Sequence, residues 1–321
     1  MKSAKFFEAG VEIRHNIWYN SLIQTEKPDF GEDENRMKHP DKWRDTVDPF
    51  TLPYHSFKPL EILGYPHAGN DVFHVRGLCN GSQINAYIKV ARQKGADIGN
   101  EMSILPQFSS AAVPSVIDCS LEGTPFLVTQ ELPGERLSTI VGENSNLESL
   151  SYMAECGAAL AKSHRMYIQA KPVKDRKFFH APSDALLESL KQEHLKGLFP
   201  TSMTVTSPCF CHGDFHYANI LWENHHISGI LDFELSGYGC KEFDIAWAVF
   251  VRPGQKFLKT EAELQEFLKG YRQFGVYDAE AVKIYMAQCY VYFLSFCGDD
   301  AEYCAYVREW LNSFAAEKCG K

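Results

Sequence analysis

The sequence lacks an excess of basic residues. Its 32 Lys and Arg are outnumbered by 41 Asp and Glu, which gives a formal net charge of −9 at pH 7. Proteins that bind nucleic acids need clustered Lys and Arg to neutralise phosphates. The composition therefore argues against a nucleic-acid partner. An acidic surface suits a cationic ligand, although it also serves solubility alone.

Long hydrophobic runs are absent as well. The longest apolar run, over 286–297, is interrupted by Gln288 and Ser295. It falls short of the roughly 20 residues that a helix needs to cross a bilayer. The first sixteen residues contain no apolar stretch of the length found in signal peptides. We therefore expect a cytoplasmic protein without membrane contacts.

The cysteines lack a regular spacing. Ten of them are spread over 79–319, and the closest pair, Cys209 and Cys211, forms C-x-C rather than the C-x-x-C of zinc and redox sites. Thiols of cytoplasmic proteins are mostly reduced and fill core volume. The spacing therefore predicts neither disulfides nor a structural zinc site.

Composition and periodicity divide the chain into three parts. Residues 1–55 form a predicted N-terminal extension, because 27–48 concentrate charges and prolines in a way typical of loops. We predict a small sheet-rich lobe over 56–132 and a larger, mainly helical lobe over 133–321, hence an α+β fold. The predicted strands lie at 60–63, 72–75, 84–90, 112–119 and 126–130, with a hairpin turn at Asn80-Gly81. The predicted helices lie at 99–108, 150–166, 261–274, 279–296 and 302–316.

The strongest functional signal is a polar cluster in the second half of the chain. Asp214 and Asn219 stand five residues apart in HGDFHYANIL, and Asp232 follows an apolar strand in GILDFE. Phosphoryl transfer to a hydroxyl requires a carboxylate that orients the hydroxyl, together with oxygen ligands for Mg²⁺. The pattern therefore predicts a kinase site.

The stretches HGDFHYANIL and GILDFELSGYGCKEFDIAW resemble the aminoglycoside phosphotransferases and their relatives, including choline and homoserine kinases. The resemblance implies a bilobal, protein-kinase-like fold with a five-stranded antiparallel sheet in the N-lobe. It also implies ATP or GTP, together with Mg²⁺. It makes Asp214 the catalytic base and makes Asn219 and Asp232 the metal ligands. His212 and Asp244 take structural roles.

The resemblance extends outward from these motifs to the nucleotide. PHAGNDVFHV looks like a nucleotide-covering loop, AYIKVA contains the phosphate-binding lysine, and LVTQELPG is similar to the hinge that contacts adenine. A glutamate on the helix that follows AYIKVA matches the ion-pair partner of that lysine. The residues assigned to the nucleotide in this way are Gly69, Asn70, Lys89, Glu101, Gln130 and Leu132.

The acceptor is expected to be small. Only eleven residues separate Asp232 from Asp244, and no A-P-E tripeptide follows, whereas protein kinases place a long peptide-binding segment there. The sequence leaves open whether the acceptor is an aminoglycoside, an amino alcohol such as choline, a sugar or homoserine. Weaker candidates for contact with the acceptor are Glu234, His216, Asp299 and Asp300.

Two other interpretations stay open at this stage. His212, Asp214 and His216 form an H-x-D-x-H pattern, which also occurs in metal-dependent phosphoesterases. The same fold can also bind nucleotides with little catalysis. The oligomeric state is undetermined by the sequence.

Overall fold

The computed structural model describes residues 47–66, 69–92, 95–142, 146–200, 207–255 and 257–320. Most of the predicted N-terminal extension, residues 1–46, lies outside the described residues. The chain divides into two compact units, of which the first ends at Leu132 and the second begins at Pro133.

The first unit is built on a five-stranded antiparallel sheet. Its strands are β1 (Phe57–Gly64), β2 (Asp71–Cys79), β3 (Ser82–Val90), β4 (Val116–Ser120) and β5 (Phe126–Gln130), in the order β1-β2-β3-β5-β4. Helix α1 (Ile98–Ile104) lies between β3 and β4 in the chain. Asn80 and Gly81 join β2 to β3 with φ angles of 50° and 80°, as a tight hairpin turn requires. The predicted sheet and its hairpin are confirmed.

Alternate residues of the strands fill the core of this unit. Phe73 and Val75 of β2, and Ala86 and Ile88 of β3, are completely buried, as expected when successive side chains point to opposite faces. Partly exposed residues alternate with them. The end of the predicted extension joins the same core, because the buried Leu52 and its neighbours pack against these strands.

One buried carboxylate fixes the start of β1. Asp118 Oδ2 accepts hydrogen bonds from the backbone N–H groups of His55, Ser56 and Phe57, at 2.7, 2.6 and 3.0 Å. We expect Asp118→Asn to lower the free energy of unfolding by about 2 kcal/mol. The neutral amide oxygen would accept these three backbone hydrogen bonds more weakly than the carboxylate does. Urea unfolding measures the effect, with the exposed Glu122→Gln as the control. Equal stability of the two variants would contradict this role.

The second unit is mainly helical. Its helices are α2 (Leu137–Val141), α3 (Asn146–Ser163), α4 (Asp184–Ser189), α5 (Lys241–Val249), α6 (Glu261–Arg272), α7 (Ala279–Leu294) and α8 (Ala301–Cys319). The four long predicted helices correspond to α3, α6, α7 and α8. Helix α7 is buried on most of its surface, which explains its lack of a polar face. No helix in the described part of the chain is long and apolar enough to span a membrane.

Two small antiparallel sheets complete this unit. One contains β6 (Glu135–Arg136), β8 (Ile220–Glu223) and β9 (His226–Ile230), and the other pairs β7 (Cys209–Cys211) with β10 (Gly237–Gly239). Their strands have two to five residues, so the sequence contains too few alternations to reveal most of them. The predicted strand at 112–119 begins instead at Val116, because Pro114 has no N–H to donate to a ladder.

Helices α3 and α6 approach each other through two glycines. A Cβ atom on Gly157 would lie 1.9 Å from the carbonyl oxygen of Phe267, and one on Gly270 would lie 1.8 Å from that of Ala154. Any side chain at these positions would therefore push the helices apart. This contact sets the distance between the end of α3 and Tyr271 of α6.

Candidate active site

The loop with the H-G-D motif leaves strand β7 at Cys211 and reaches β8 through a 3₁₀ turn, Tyr217–Asn219. Gly213 has φ 80°, and a Cβ atom there would lie 2.1 Å from the carbonyl oxygen of Leu235. Both the left-handed backbone and the close approach require glycine. Gly213 thus allows the chain to turn directly before Asp214.

A fully buried carboxylate holds this loop from behind. Asp244, on α5, accepts the backbone N–H groups of His212 and Gly213 at 2.8 and 2.9 Å. Its Oδ2 also lies 3.1 Å from Nε2 of His164, whose Nδ1 is 2.7 Å from the hydroxyl of Tyr271. These contacts form a continuous hydrogen-bonded chain. It runs from Tyr271 on α6 through His164, which follows α3, and Asp244 on α5 to the loop.

The charge of Asp244 is retained despite its burial. Burial by itself raises the pKa of this carboxyl, but the hydrogen bond and charge of His164, together with His212, lower it below its ordinary value. An ionised Asp244 can only accept, so Nε2 of His164 carries the proton of their hydrogen bond. The structure therefore brings Asp244 to the position expected of a structural carboxylate.

His212 is fixed by backbone groups on both sides of its ring. Nδ1 accepts the N–H of Asp214 at 3.2 Å, and Nε2 lies 3.1 Å from the carbonyl oxygen of Leu231, to which it donates. Burial lowers the pKa of His212, which favours this neutral form. Because both nitrogens are occupied, the geometry disfavours His212 as the metal ligand that the phosphoesterase interpretation needs.

The carboxylate of Asp214 is held by two side chains. Oδ1 accepts from the indole Nε1 of Trp247 at 2.6 Å, and Oδ2 accepts from Nδ2 of Asn219 at 3.2 Å. The same amide group donates to the backbone oxygen of Asp214 at 3.0 Å. The side chain is 18% exposed, so an oxygen can still meet a small molecule. Trp247 was missed by the sequence interpretation, although it ends the quoted motif GCKEFDIAW.

The groups around Asp214 keep it ionised. Burial alone raises its pKa, but the net effect of His216, Arg176 and Arg252 is to lower the pKa well below the usual aspartate range. His216 contributes through Nε2, 3.6 Å from Oδ1 of Asp214, while its Nδ1 accepts from the N–H of Ala218 at 3.3 Å. Asp214 is therefore a carboxylate at neutral pH.

Arg176 links the loop to an aromatic wall. One guanidinium nitrogen donates to the carbonyl oxygen of Gly213 at 2.6 Å. The guanidinium also lies 5.1 Å from the ring centre of Phe179 and 5.0 Å from that of Trp247. Nothing in its sequence context predicts this placement, since Arg176 lies in an irregular segment without a motif.

Asn219 and Asp232 lie at the same end of the β8–β9 hairpin. Ile220 pairs with Ile230, and the ladder continues with the N–H of Leu231 donating to the carbonyl oxygen of Asn219 at 2.8 Å. Asp232 follows directly with φ 65°, and Glu234 is in the turn after it. Amide and carboxylate oxygens are the hard ligands that Mg²⁺ prefers, so this donor set fits the metal.

The first unit brings together the predicted ion pair of Lys89 and Glu101. Lys89 Nζ of β3 lies 2.6 Å from Glu101 Oε2 of α1, with side chains 16% and 6% exposed. A lysine on a strand is thereby held in place by a carboxylate on the adjacent helix, as the resemblance implied.

The remaining predicted residues occupy less defined positions. Gly69 has φ 116°, and Oδ1 of Asn70 accepts the N–H of Arg92 at 3.3 Å; residues 67 and 68 of this loop lie outside the described part. Gln130 ends β5, its N–H bonded to the carbonyl oxygen of Ser115 at 3.0 Å, and Leu132 ends the first unit. Asp300 caps α8 by accepting the N–H of Tyr303 at 2.9 Å, and Asp299 precedes it.

Two solved structures of small-molecule kinases have the same fold. The amicoumacin kinase hAmiN, in complex with AMP-PNP, Ca²⁺ and Ami, superposes with a TM-score of 0.51 at 17% identity, over 82% of this chain and 88% of that one. A thermostable mutant of the aminoglycoside phosphotransferase APH(4)-Ia, in ternary complex with AMP-PNP and hygromycin B, gives 0.54 at 15% identity, over 84% and 96%. These likenesses confirm the predicted fold. A comparison with curated protein sequences found no match.

The family follows from the sequence match. The model of the phosphotransferase enzyme family matches residues 67–282, which include the Lys89–Glu101 pair and the whole loop with the H-G-D motif. The chain belongs to the phosphotransferase enzyme family and is a small-molecule kinase.

Proposed function

We propose that this kinase transfers the γ-phosphate of ATP to a hydroxyl group of a small molecule, with Asp214 as the residue that receives the hydroxyl. The observation that carries the proposal is the geometry of Asp214. Its carboxylate is ionised, partly exposed and oriented by Trp247 and Asn219. A fixed acceptor of this kind can orient one hydroxyl for in-line attack.

Asp214 has to accept the hydroxyl proton only late in the phosphoryl transfer. The hydroxyl oxygen attacks the γ-phosphorus, the bond from that phosphorus to the β-phosphate oxygen breaks, and the hydroxyl proton passes to Asp214. Because the pKa of Asp214 is low, the carboxylate is a weak base that acts first as a hydrogen-bond acceptor. This suits a loose transition state, in which the proton leaves late.

Asn219 and Asp232 are the residues that would hold Mg²⁺. When bound, the ion neutralises charge on the nucleotide phosphates. Asn219 keeps its amide nitrogen on Asp214, so its oxygen is the atom left for a cation. Asn219 thereby joins the position of the metal to the position of the base.

In the first unit, Lys89 would hold the α- and β-phosphates, with Glu101 fixing its ammonium group. Gly69 and Asn70 would cover the phosphates, while Gln130 and Leu132 would contact the adenine. Support for a nucleotide comes from the fold relatives, two of which contain AMP-PNP.

A small acceptor agrees with the short link between Asp232 and Asp244. In the structure this link holds only strand β10 and the first turn of α5. Among the weaker candidates, Glu234 and Asp299 supply carboxylates for a cationic acceptor. Asp300 is already engaged as the cap of α8.

The test is ATP consumption with Mg²⁺ against aminoglycosides, choline, ethanolamine, homoserine and common sugars, with Asp214→Asn run in parallel. We expect one acceptor class to stimulate ATP consumption in the wild type alone. Failure to bind ATP or GTP would overturn the proposal. Release of phosphate from a model phosphate ester in the absence of any nucleotide would favour the phosphoesterase instead.

A matched pair of tryptophan variants tests the orientation of the base. Trp247→Phe keeps an aromatic ring beside Phe178 and Phe250 but loses the Nε1–H that fixes Asp214. We expect kcat to fall by about tenfold, as for the loss of one hydrogen bond of about 1.4 kcal/mol, with the KM for ATP unchanged. Trp310→Phe on α8 is the control. Equal kcat values for both variants would contradict this role.

A further inference from the structure

A cluster of soft ligands lies directly behind the catalytic loop. Cys209 and Cys211 point to the same face of strand β7, and their sulfur atoms are 3.9 Å apart. One ring nitrogen of His164 and both sulfurs lie within 4.8 Å of one another. The proposed phosphotransfer uses neither cysteine.

The spacing of the two sulfurs matches a shared metal ion. Two thiolates bound at about 2.3 Å to a tetrahedral zinc ion lie about 3.8 Å apart. Cys209 and Cys211 have this separation without any bound ion. Residues i and i+2 of a strand point to the same face, so the two sulfurs of a C-x-C pair can bind one metal ion together.

The histidine already has a carboxylate partner on one side of its ring. Nε2 of His164 lies 3.1 Å from Oδ2 of Asp244, and Nδ1 lies 2.7 Å from the Tyr271 hydroxyl. Histidines that bind metals usually donate their other ring proton to a carboxylate, which fixes the tautomer and raises ligand basicity. Here the carboxylate partner is in place and fully buried.

We propose that His164, Cys209 and Cys211 form a binding site for a single thiophilic cation, of which Zn²⁺ is the physiological representative. The ion takes the ring nitrogen of His164 that lies within 4.8 Å of both sulfurs, and water completes the tetrahedron. The partly exposed Cys209 provides access from solvent. Binding replaces the protons of both thiols, which are released to solvent.

The sequence argued against zinc because the C-x-C pair lacks the spacing of the usual zinc sites. The fold supplies the third ligand from the residue after α3, where the close approach of α3 to α6 at Gly157 and Gly270 sets the position of the helix. The site lies next to the contacts that hold His212 and Gly213 through Asp244.

Cobalt titration of the full chain tests this proposal. The reduced, chelator-treated protein is titrated with Co²⁺ in the presence of excess Mg²⁺, which occupies oxygen-rich sites. Zn²⁺ is then added to displace the bound Co²⁺. We expect a thiolate-to-cobalt charge-transfer band that saturates at one Co²⁺ per chain and disappears with Zn²⁺. We also expect Zn²⁺ to raise the melting temperature, because it binds the folded site.

Cysteine variants identify the ligands. Cys209→Ser should weaken Co²⁺ binding by more than about tenfold and abolish the Zn²⁺-dependent rise in melting temperature. Cys211→Ser, a second variant, should do the same, whereas Cys319→Ser, at the exposed cysteine that ends α8, should behave as wild type. A wild type without the charge-transfer band, or a band unchanged in Cys209→Ser, would overturn the proposal. Neither result would bear on phosphotransfer by Asp214.

Discussion

Replacing Asp214 with Asn should lower kcat by about three orders of magnitude, while ATP binding stays close to that of the wild type. The variant loses the negative charge that accepts the substrate hydroxyl, but it keeps the size of the side chain. Its oxygen can still accept from the indole of Trp247. Single-turnover phosphorylation of the acceptor found in the panel measures the rate, and calorimetry with AMP-PNP measures binding.

The control for this variant is Asp184→Asn, which removes an exposed carboxylate at the start of α4. It should leave both quantities unchanged. Phosphorylation by Asp214→Asn at a rate within tenfold of the wild type would assign the hydroxyl contact to another residue. A joint loss of nucleotide binding and turnover would instead mean that Asp214 holds the loop together.

Replacing Asp244 with Asn should destabilise the second unit by about 3 kcal/mol, one of the largest effects expected for a single polar substitution here. The carboxylate accepts the N–H groups of His212 and Gly213 and the Nε2 proton of His164. An amide has one acceptor oxygen, so its NH₂ group must face one of these buried donors. Urea unfolding measures the loss, and kcat should fall with it because the loop is freed.

The pH dependence of stability gives an independent check. Because the hydrogen bonds of Asp244 lower its pKa in the folded state, its stabilising effect is present above the ordinary aspartate pKa. This effect is lost as the pH falls through the lower, folded-state value. The stability difference between wild type and Asp244→Asn should therefore shrink on acidification. A difference that is constant between pH 7 and pH 3, or equal to that of the exposed Glu309→Gln, would contradict this account.

The juxtaposition of the candidate catalytic residues could be predicted because the chain places them close together. Asp214 and Asn219 belong to one short loop, and a hairpin brings Asp232 beside Asn219, so spacing along the sequence reflects spacing in the fold. The same holds for the hairpin at Asn80-Gly81, where the turn residues themselves determine the backbone. Local chemistry of this kind can be read from a sequence.

The supporting residues could not be predicted because they come from distant segments. Arg176 precedes Gly213 by 37 residues, yet it donates to the carbonyl oxygen of Gly213. His164 and Tyr271 meet only because two glycines let α3 and α6 touch. Such contacts depend on helix packing, for which periodicity predicts the buried face but not the partner. Trp247 was partly predictable. It lies one helical turn after Asp244, so it could be assigned to the same face of the helix.

The close approach of α3 and α6 at Gly157 and Gly270 has a kinetic consequence for the loop that contains Asp214. Surface loops usually exchange their amide protons quickly, because they open without unfolding the core. Here the amides of His212 and Gly213 are bonded to a fully buried carboxylate that is tied, through His164, to the packed helix pair. Their exchange with deuterium therefore requires the helices to separate. The loop that contains Asp214 should thus be among the slowest-exchanging segments of the second unit, and a substrate would meet a preformed carboxylate rather than one that must first be ordered.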